Sequence, residues 1–269
     1  MDVLKRNNVI IKGKGQTPML FAHGYGCDQN MWRFVTPAFE EDYKIILFDQ
    51  MGFGQSDFSE YSAQKYSSLQ AYADDILEIA EALDLTEIVF VGHSVSAMIG
   101  VLAANKAPHL FQNLILIAPS PRYINDTDYS GGFAPEDIDN LLNSLNSDYL
   151  AWSVAMAPVI MGNADKPEWS EELATSFCRS HEEIARNFAH LTFRSDNRAD
   201  LKKLQVKSLI LQCQNDVIAP LEVGSYMQQN IANSNLVILN AKGHCPNLSA
   251  PEETIHAIQD FLTAHKVLQ

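Results

Sequence analysis

Gly92-His93-Ser94-Val95-Ser96 stands between an apolar run of β type, Ile88-Val89-Phe90-Val91, and a helical segment, Ala97 to Lys106. A serine on a tight strand-to-helix turn is held clear of the sheet with its hydroxyl exposed. The helix behind it offers backbone N–H groups and the positive end of its dipole. The usual pattern is G-x-S-x-G, and here Ser96 takes the place of the last glycine while keeping a small side chain. A serine hydroxyl is a poor nucleophile at neutral pH and needs a base. His244, in Gly243-His244-Cys245-Pro246, is the candidate base, and Asp216, in Asn215-Asp216, is the candidate that orients it. In such a set the histidine takes the serine proton during attack and returns it to the leaving group. The carboxylate holds the ring tautomer and stabilises the imidazolium. His23-Gly24-Tyr25-Gly26 turns tightly on its glycines, which leaves the Tyr25 N–H to face a developing oxyanion, with the Val95 N–H as second donor.

Each piece has an ordinary structural reading. A serine after a glycine is usually a turn residue, an aspartate after a strand usually makes an Asx turn, and a Gly-His-Cys-Pro stretch is usually a loop. What favours chemistry is their shared placement. Each follows a strand-like run, so all gather at the C-terminal edge of one sheet, where open α/β sheets bind ligands. The chain order serine, aspartate, histidine is that of the α/β-hydrolases. Other polar residues read as structural. Asp49, Gly52, Gly54 and Ser56 shape a loop, His23 anchors another, and His93 packs and hydrogen-bonds beside the serine. Cys245 has only Lys242 as a basic neighbour, too little to make it a reactive thiolate.

The elements that must position these residues follow from periodicity. Strand-like runs cover Val9–Lys12, Met19–Ala22, Lys44–Phe48, Glu87–Val91, Leu114–Ala118, Ser208–Cys213 and Asn235–Leu239. Most lack polar alternation, as expected for a parallel sheet covered on both faces. Leu69, Tyr72, Ala73, Ile76, Ala80 and Leu83 recur at helical spacing. Near the end, Ser249 is placed to cap a helix with Pro251 in its first turn and Ile255, Ile258 and Leu262 on its buried side. Alternating strands and helices indicate an α/β domain with a mostly parallel central sheet and helices on both faces. Between residues 122 and 199 the rhythm breaks. A turn-rich stretch, Asn125 to Gly132, leads into helix-type segments Pro135–Leu145, Ser147–Met161, Ser170–Cys178 and Glu182–Phe193. The expected organisation is a core of residues 1–121 and 200–269 with a helical lid, residues 122–199, inserted over the strand ends.

Composition excludes several classes. The 269 residues are 46% hydrophobic, enough for a sizeable core, and the formal net charge is −14. Such a surface repels phosphate backbones and anionic membranes, so neither nucleic acid nor membrane is an expected partner. Cys27, Cys178, Cys213 and Cys245 show no metal or disulfide spacing, and the first residues have no apolar signal core. The expected location is cytoplasmic. His181-Glu182 begins like H-E-x-x-H, but Ala185 stands where the second histidine belongs. Gln29 stands where a dinucleotide fingerprint needs glycine, and no phosphate loop occurs. No metal and no cofactor are expected. Haloalkane dehalogenases and epoxide hydrolases need an acid at position 94, which Ser94 does not supply.

Several stretches give a more specific resemblance: Phe21 to Gln29, Val91 to Gly100, Pro119 to Asp126, Tyr129 to Phe133 and Phe193 to Asp196. With them the chain resembles the α/β-hydrolases of the RsbQ type, bacterial stress-signalling regulators, whose plant relatives are the karrikin and strigolactone receptors. The triad motif is shared by many hydrolases, whereas the stretch from Pro119 to Phe133 is far more diagnostic. The resemblance implies an α/β-hydrolase core, a four-helix lid and a deep apolar pocket with a narrow mouth. Tyr25, Tyr123, Trp152, Met156, Phe193 and Ile218 would line it. Members more often carry Phe at the position of Tyr25, and several carry an aromatic at that of Met156. The departures imply a more polar mouth and a more adaptable wall. The implied activity is slow cleavage of a small hydrophobic ester, lactone or enol ether. The alternative it implies is a slow-turnover ligand sensor acting with a regulatory phosphatase in stress signalling.

Overall fold

Apolar β-branched runs without polar alternation need cover on both faces. The computed structural model, which describes residues 2–266, gives them that cover. Among the described residues seven strands form one sheet: β1 (Ile10–Lys12), β2 (Thr17–Ala22), β3 (Tyr43–Leu47), β4 (Ile88–His93), β5 (Phe111–Ile117), β6 (Lys207–Asn215) and β7 (Ser234–Lys242). Their spatial order is β1-β3-β2-β4-β5-β6-β7. β1 runs antiparallel to β3, and every other pairing is parallel. The central strand β4 is buried along its whole length, while the edge strands β1 and β7 leave Ile10, Ile11 and Ile238 exposed.

The helices longer than one turn, among the described residues, are α1 (Leu69–Ala82), α2 (Val95–Lys106), α3 (Pro135–Ser147), α4 (Tyr149–Met161), α5 (Pro167–Arg179), α6 (Glu182–Phe193), α7 (Leu221–Asn230) and α8 (Pro251–Lys266). α1 buries Leu69, Tyr72, Ala73, Ile76 and Ala80 of the stripe its spacing predicts, and Ile79 beside them, while Leu83 is its C-terminal cap residue. α2 carries no charge before Lys106 and is buried almost all round, as a helix against the middle of a sheet must be. Ile258 and Leu262 of α8 are buried and Ile255 partly so. Ser249 does not cap α8. It ends a separate one-turn helix, Pro246–Ser249, and its hydroxyl donates to the Cys245 carbonyl at 3.2 Å.

Between β5 and β6 the described residues contain no strand of the sheet, and α3 to α6 occupy that interval. Isolated bridges, Ile124 to Phe133 and Asp126 to Tyr129, shape the segment leading into α3. The four helices lie over the C-terminal ends of the strands. The Ser176 hydroxyl of α5 donates to the Gly26 carbonyl at 2.8 Å, and the Arg33 guanidinium pairs with Glu172 of α5 at 2.7 Å. On α6 the Asn187 amide donates to the Tyr66 carbonyl at 2.9 Å. Loop ends, not strand faces, therefore meet this helical layer.

Candidate active site

β4 hands over to α2 at Ser94, whose φ of 57° and ψ of −125° are a conformation that L-residues rarely adopt. The surrounding chain holds it there. The Ser94 N–H donates to the Ile117 carbonyl at the end of β5, 2.8 Å away. The turn lifts the hydroxyl above the sheet edge, where His244 Nε2 lies 2.8 Å from Ser94 Oγ. On the other side of the ring, His244 Nδ1 lies 2.7 Å from Asp216 Oδ2. The carboxylate can only accept, so Nδ1 carries the proton and Nε2 faces the hydroxyl as an acceptor. Asp216 follows β6, and its Oδ1 accepts from the backbone N–H groups of Ile218 (2.8 Å) and Ala219 (3.1 Å). Three residues far apart in sequence are thus in one hydrogen-bonded row, and all three are buried.

His244 follows β7, and its loop is locked from above. The His244 N–H donates to the Ile160 carbonyl at the end of α4, 2.8 Å away, and the Gly243 N–H donates to the Asn215 carbonyl at 2.7 Å. Gly243 has φ of 77°, and a Cβ there would overlap the Met161 carbonyl. Only glycine lets the loop and the end of α4 approach this closely. Below the ring, the His93 Nε2–H donates to the His244 carbonyl at 2.7 Å, which leaves His93 Nδ1 buried and unpartnered. Burial, reinforced by His244, pushes the His93 imidazole down to about 3, so it stays neutral.

The loop after β2 lies against the same turn. A Cβ on Gly24 would sit 2.5 Å from His93 Nδ1 and 3.3 Å from Ser94 Cβ. Among the described residues no group accepts from the N–H of Tyr25 or of Val95. The His23 ring is fixed as well. Its Nε2 accepts from the Gln50 N–H at 2.9 Å, so its Nδ1–H donates to the Gly24 carbonyl at 2.9 Å. Burial lowers the His23 pKa and keeps this tautomer neutral, against the pull of Asp49. Asp49 itself accepts from the N–H groups of Gln29 and Gln55, both at 2.9 Å, which is loop-shaping work.

A cavity of about 30 Å³ opens above Ser94 and His244. Tyr25, Tyr123, Trp152, Phe193 and Ile218 line it, while Met156 does not. Met156 is half-buried on α4 and packs against the core. It stands four residues from Trp152 and shares a helix face with it, yet only Trp152 reaches the opening. Sequence reasoning missed Cys27, Ile160, Leu173, Phe177, Thr192 and Cys245 on the wall. Cys27 and Cys245 were legible by adjacency to the Tyr25 loop and to His244. Leu173 and Phe177 are four apart on the buried face of α5, a pattern that reads equally as core.

The mouth is not made more polar by Tyr25. Its hydroxyl donates to the Ala185 carbonyl of α6 at 3.2 Å, and its ring touches Phe53, Trp152, Phe177, Phe188 and Phe193. Burial pushes its pKa well up. The added oxygen is consumed in binding the helical layer. Burial also pushes the Tyr123 phenol up, and a hydrogen bond with Ser94 draws it partly back. Burial raises the pKa of the Cys27 and Cys245 thiols, so the cavity holds them protonated. All four cysteines are free. Among the described residues no helix is long and apolar enough to cross a membrane.

Comparison with known proteins agrees with this architecture. Residues 17–251 match the family described as alpha/beta hydrolase fold. Karrikin insensitive 2 receptor CA of Petunia hybrida is 37% identical over 254 residues, 94% of each chain. Strigolactone esterase RMS3 of Pisum sativum is 36% identical over 263 residues, 97% of this chain and 98% of its own. Among solved structures, a hydrolase from Oleispira antarctica superposes with a TM-score of 0.95 at 41% identity, covering 97% of this chain and 96% of that one. With this match over most of its length, and with relatives that include named esterases, the chain belongs to the α/β-hydrolase fold family.

Proposed function

We propose that the chain is a serine hydrolase that cleaves a small, mostly apolar ester, lactone or enol ether. The observation that carries this reading is the row of hydrogen bonds from Ser94 Oγ through His244 to Asp216. On an ester or lactone carbonyl, Ser94 attacks the acyl carbon as its proton passes to His244 Nε2. Asp216, held by the Ile218 and Ala219 N–H groups, keeps the ring in place and stabilises the imidazolium. The N–H groups of Tyr25 and Val95 receive the oxyanion. Removing one such donor typically costs roughly 3–4 kcal/mol of transition-state stabilisation. His244 then returns the proton to the leaving alkoxide, and water repeats the sequence on the acyl-enzyme. In this reading residues 122–199 act as a lid inserted in a core of residues 1–121 and 200–269, and the protein works in the cytoplasm without metal or cofactor. The test is hydrolysis of p-nitrophenyl acetate by the wild type and by Ser94→Ala. Loss of turnover in the variant is expected, and equal rates would overturn the reading.

The cavity favours a second reading, a slow-turnover ligand sensor acting with a regulatory phosphatase partner. About 30 Å³ holds a water molecule or two. Binding of a larger molecule that moves part of the helical layer would link occupancy to the shape of the outer surface. The name of the Petunia relative, a receptor, supports the same idea. A sensor shows very slow turnover and ligand-dependent binding of the phosphatase. Fast multiple turnover with no phosphatase binding would exclude it.

A further inference from the structure

Ser96 occupies the position where the serine-turn motif usually has glycine, and its side chain is wholly buried. Its hydroxyl lies 2.5 Å from the carbonyl oxygen of His23. A carbonyl can only accept, so the single hydroxyl proton is committed to that bond. The hydroxyl oxygen then accepts from the Gln50 Nε2–H at 3.1 Å. The Gln50 backbone N–H donates to the His23 ring at 2.9 Å, and that ring donates to the Gly24 carbonyl. His23, Gln50 and Ser96 are all fully buried. The three form a closed circuit with every donor direction fixed by its neighbours.

The circuit stands at a particular place in the fold. β2 and β4 are paired up to Ala22 and Gly92, after which their chains part. One chain carries the Tyr25 N–H, two residues beyond His23. The other carries the Val95 N–H, one residue before Ser96. The Ser96 to His23 bond crosses the gap just past the last sheet pair, within two residues of both donors.

We propose that the Ser96 hydroxyl is a positioning residue that sets the spacing of the two oxyanion donors, Tyr25 N–H and Val95 N–H. The inference rests on the serine-hydrolase reading for the role of those donors, but the contact itself does not. Alanine at 96 keeps the Cβ and the helix and removes the hydroxyl, both the donor to the His23 carbonyl and the acceptor of the Gln50 Nε2–H. The His23 carbonyl is then released, and the Gly24-Tyr25 peptide gains freedom relative to α2. Since the donors act on charge that develops in the transition state, the loss falls on kcat and not on KM. Glycine at 96, the residue the motif ordinarily carries, removes the same bond and cannot restore the rate.

The test uses the full chain with Ser96→Ala and Ser96→Gly, kcat and KM on p-nitrophenyl acetate, and NMR-detected hydrogen exchange at the Tyr25 amide. The expected result is a kcat lower by about 10- to 100-fold in both variants, less than the loss of a whole donor, with KM within about twofold. Tyr25 amide exchange should be faster by about tenfold, as expected when a local restraint is removed. Wild-type kcat in Ser96→Gly, or a rise in KM at unchanged kcat, would overturn the proposal. If the wild type shows no Ser94-dependent turnover, the hydrolase reading fails by itself. The exchange measurement then decides the role of Ser96: faster exchange supports it, and unchanged exchange overturns it.

Discussion

The backbone at Ser94 stores a cost that can be measured. At φ 57° and ψ −125° an L-residue is strained by about 1–3 kcal/mol, whereas glycine adopts the conformation freely. Ser94→Ala keeps the strain and loses the 2.8 Å bond to His244 Nε2. Ser94→Gly loses the same bond and releases the strain, so comparing the two variants cancels the hydrogen bond. Against the release stand the greater unfolded-chain entropy of glycine, about 0.5–1 kcal/mol, and the burial of one methyl, a further fraction of a kcal/mol. With the strain near the middle of its range the balance is about 1 kcal/mol in favour of glycine. For a domain of this size that is roughly 2–4 °C in Tm. Thermal melts of the two variants, both expected to be inactive on p-nitrophenyl acetate, make the test. A Ser94→Gly melting point equal to or below that of Ser94→Ala would refute the claim that the fold holds the Ser94 turn against its own preference.

Further predictions follow from the same geometry. Gly243→Ala places a Cβ on the Met161 carbonyl at a positive φ, so the His244 loop must leave α4. A stability loss of roughly 2 kcal/mol or more in urea titration and a fall of about 100-fold or more in ester hydrolysis are expected. His93 is held at about 3 by burial, below the 6.5 of an unfolded chain. The unfolded state therefore binds a proton first as pH falls through 6.5. The contribution is complete above that pH and shrinks below it, by about 2 kcal/mol at pH 5. Urea midpoints of wild type and His93→Gln between pH 7 and 5 check this, the variant losing less stability than the wild type. Leu173 is buried between the cavity and a surface cleft beneath α5. Leu173→Ala costs roughly 2–3 kcal/mol and should raise kcat/KM for p-nitrophenyl butyrate relative to acetate, as read from paired ester assays and a denaturation curve.

Part of this molecule was legible from residue types alone. The strands were readable because a parallel sheet covered on both faces needs unbroken apolar runs, and Ile88-Val89-Phe90-Val91 or Leu209-Ile210-Leu211 meet that need visibly. Ser94, Asp216 and His244 were readable because each follows such a run, and parallel strands send all their C-terminal ends to one edge. α3 to α6 were readable as helices from spacing and from the absence of strand-like runs. The cap of α8 was not, since the helix begins at Pro251 and Ser249 belongs to the separate turn Pro246–Ser249, one residue too early to cap it.

What lines a cavity is another kind of fact. Trp152 and Met156 share one face of α4, and Leu173 and Phe177 share one face of α5. Spacing assigns a face to each, but only the direction of the helix axes decides which side chain meets the opening. The Tyr25 hydroxyl could have faced a ligand or a carbonyl, and the placement of α6 gave it Ala185. Ser96 looked like a tolerated replacement for glycine until the loop after β2 was brought against it. Sequence by itself determined the elements, their order and the edge at which the reactive groups emerge, because those depend on local periodicity. Tertiary structure alone decided the size of the cavity, its wall and the bonds that hold its donors, because those depend on contacts between segments that carry no information about one another in the chain.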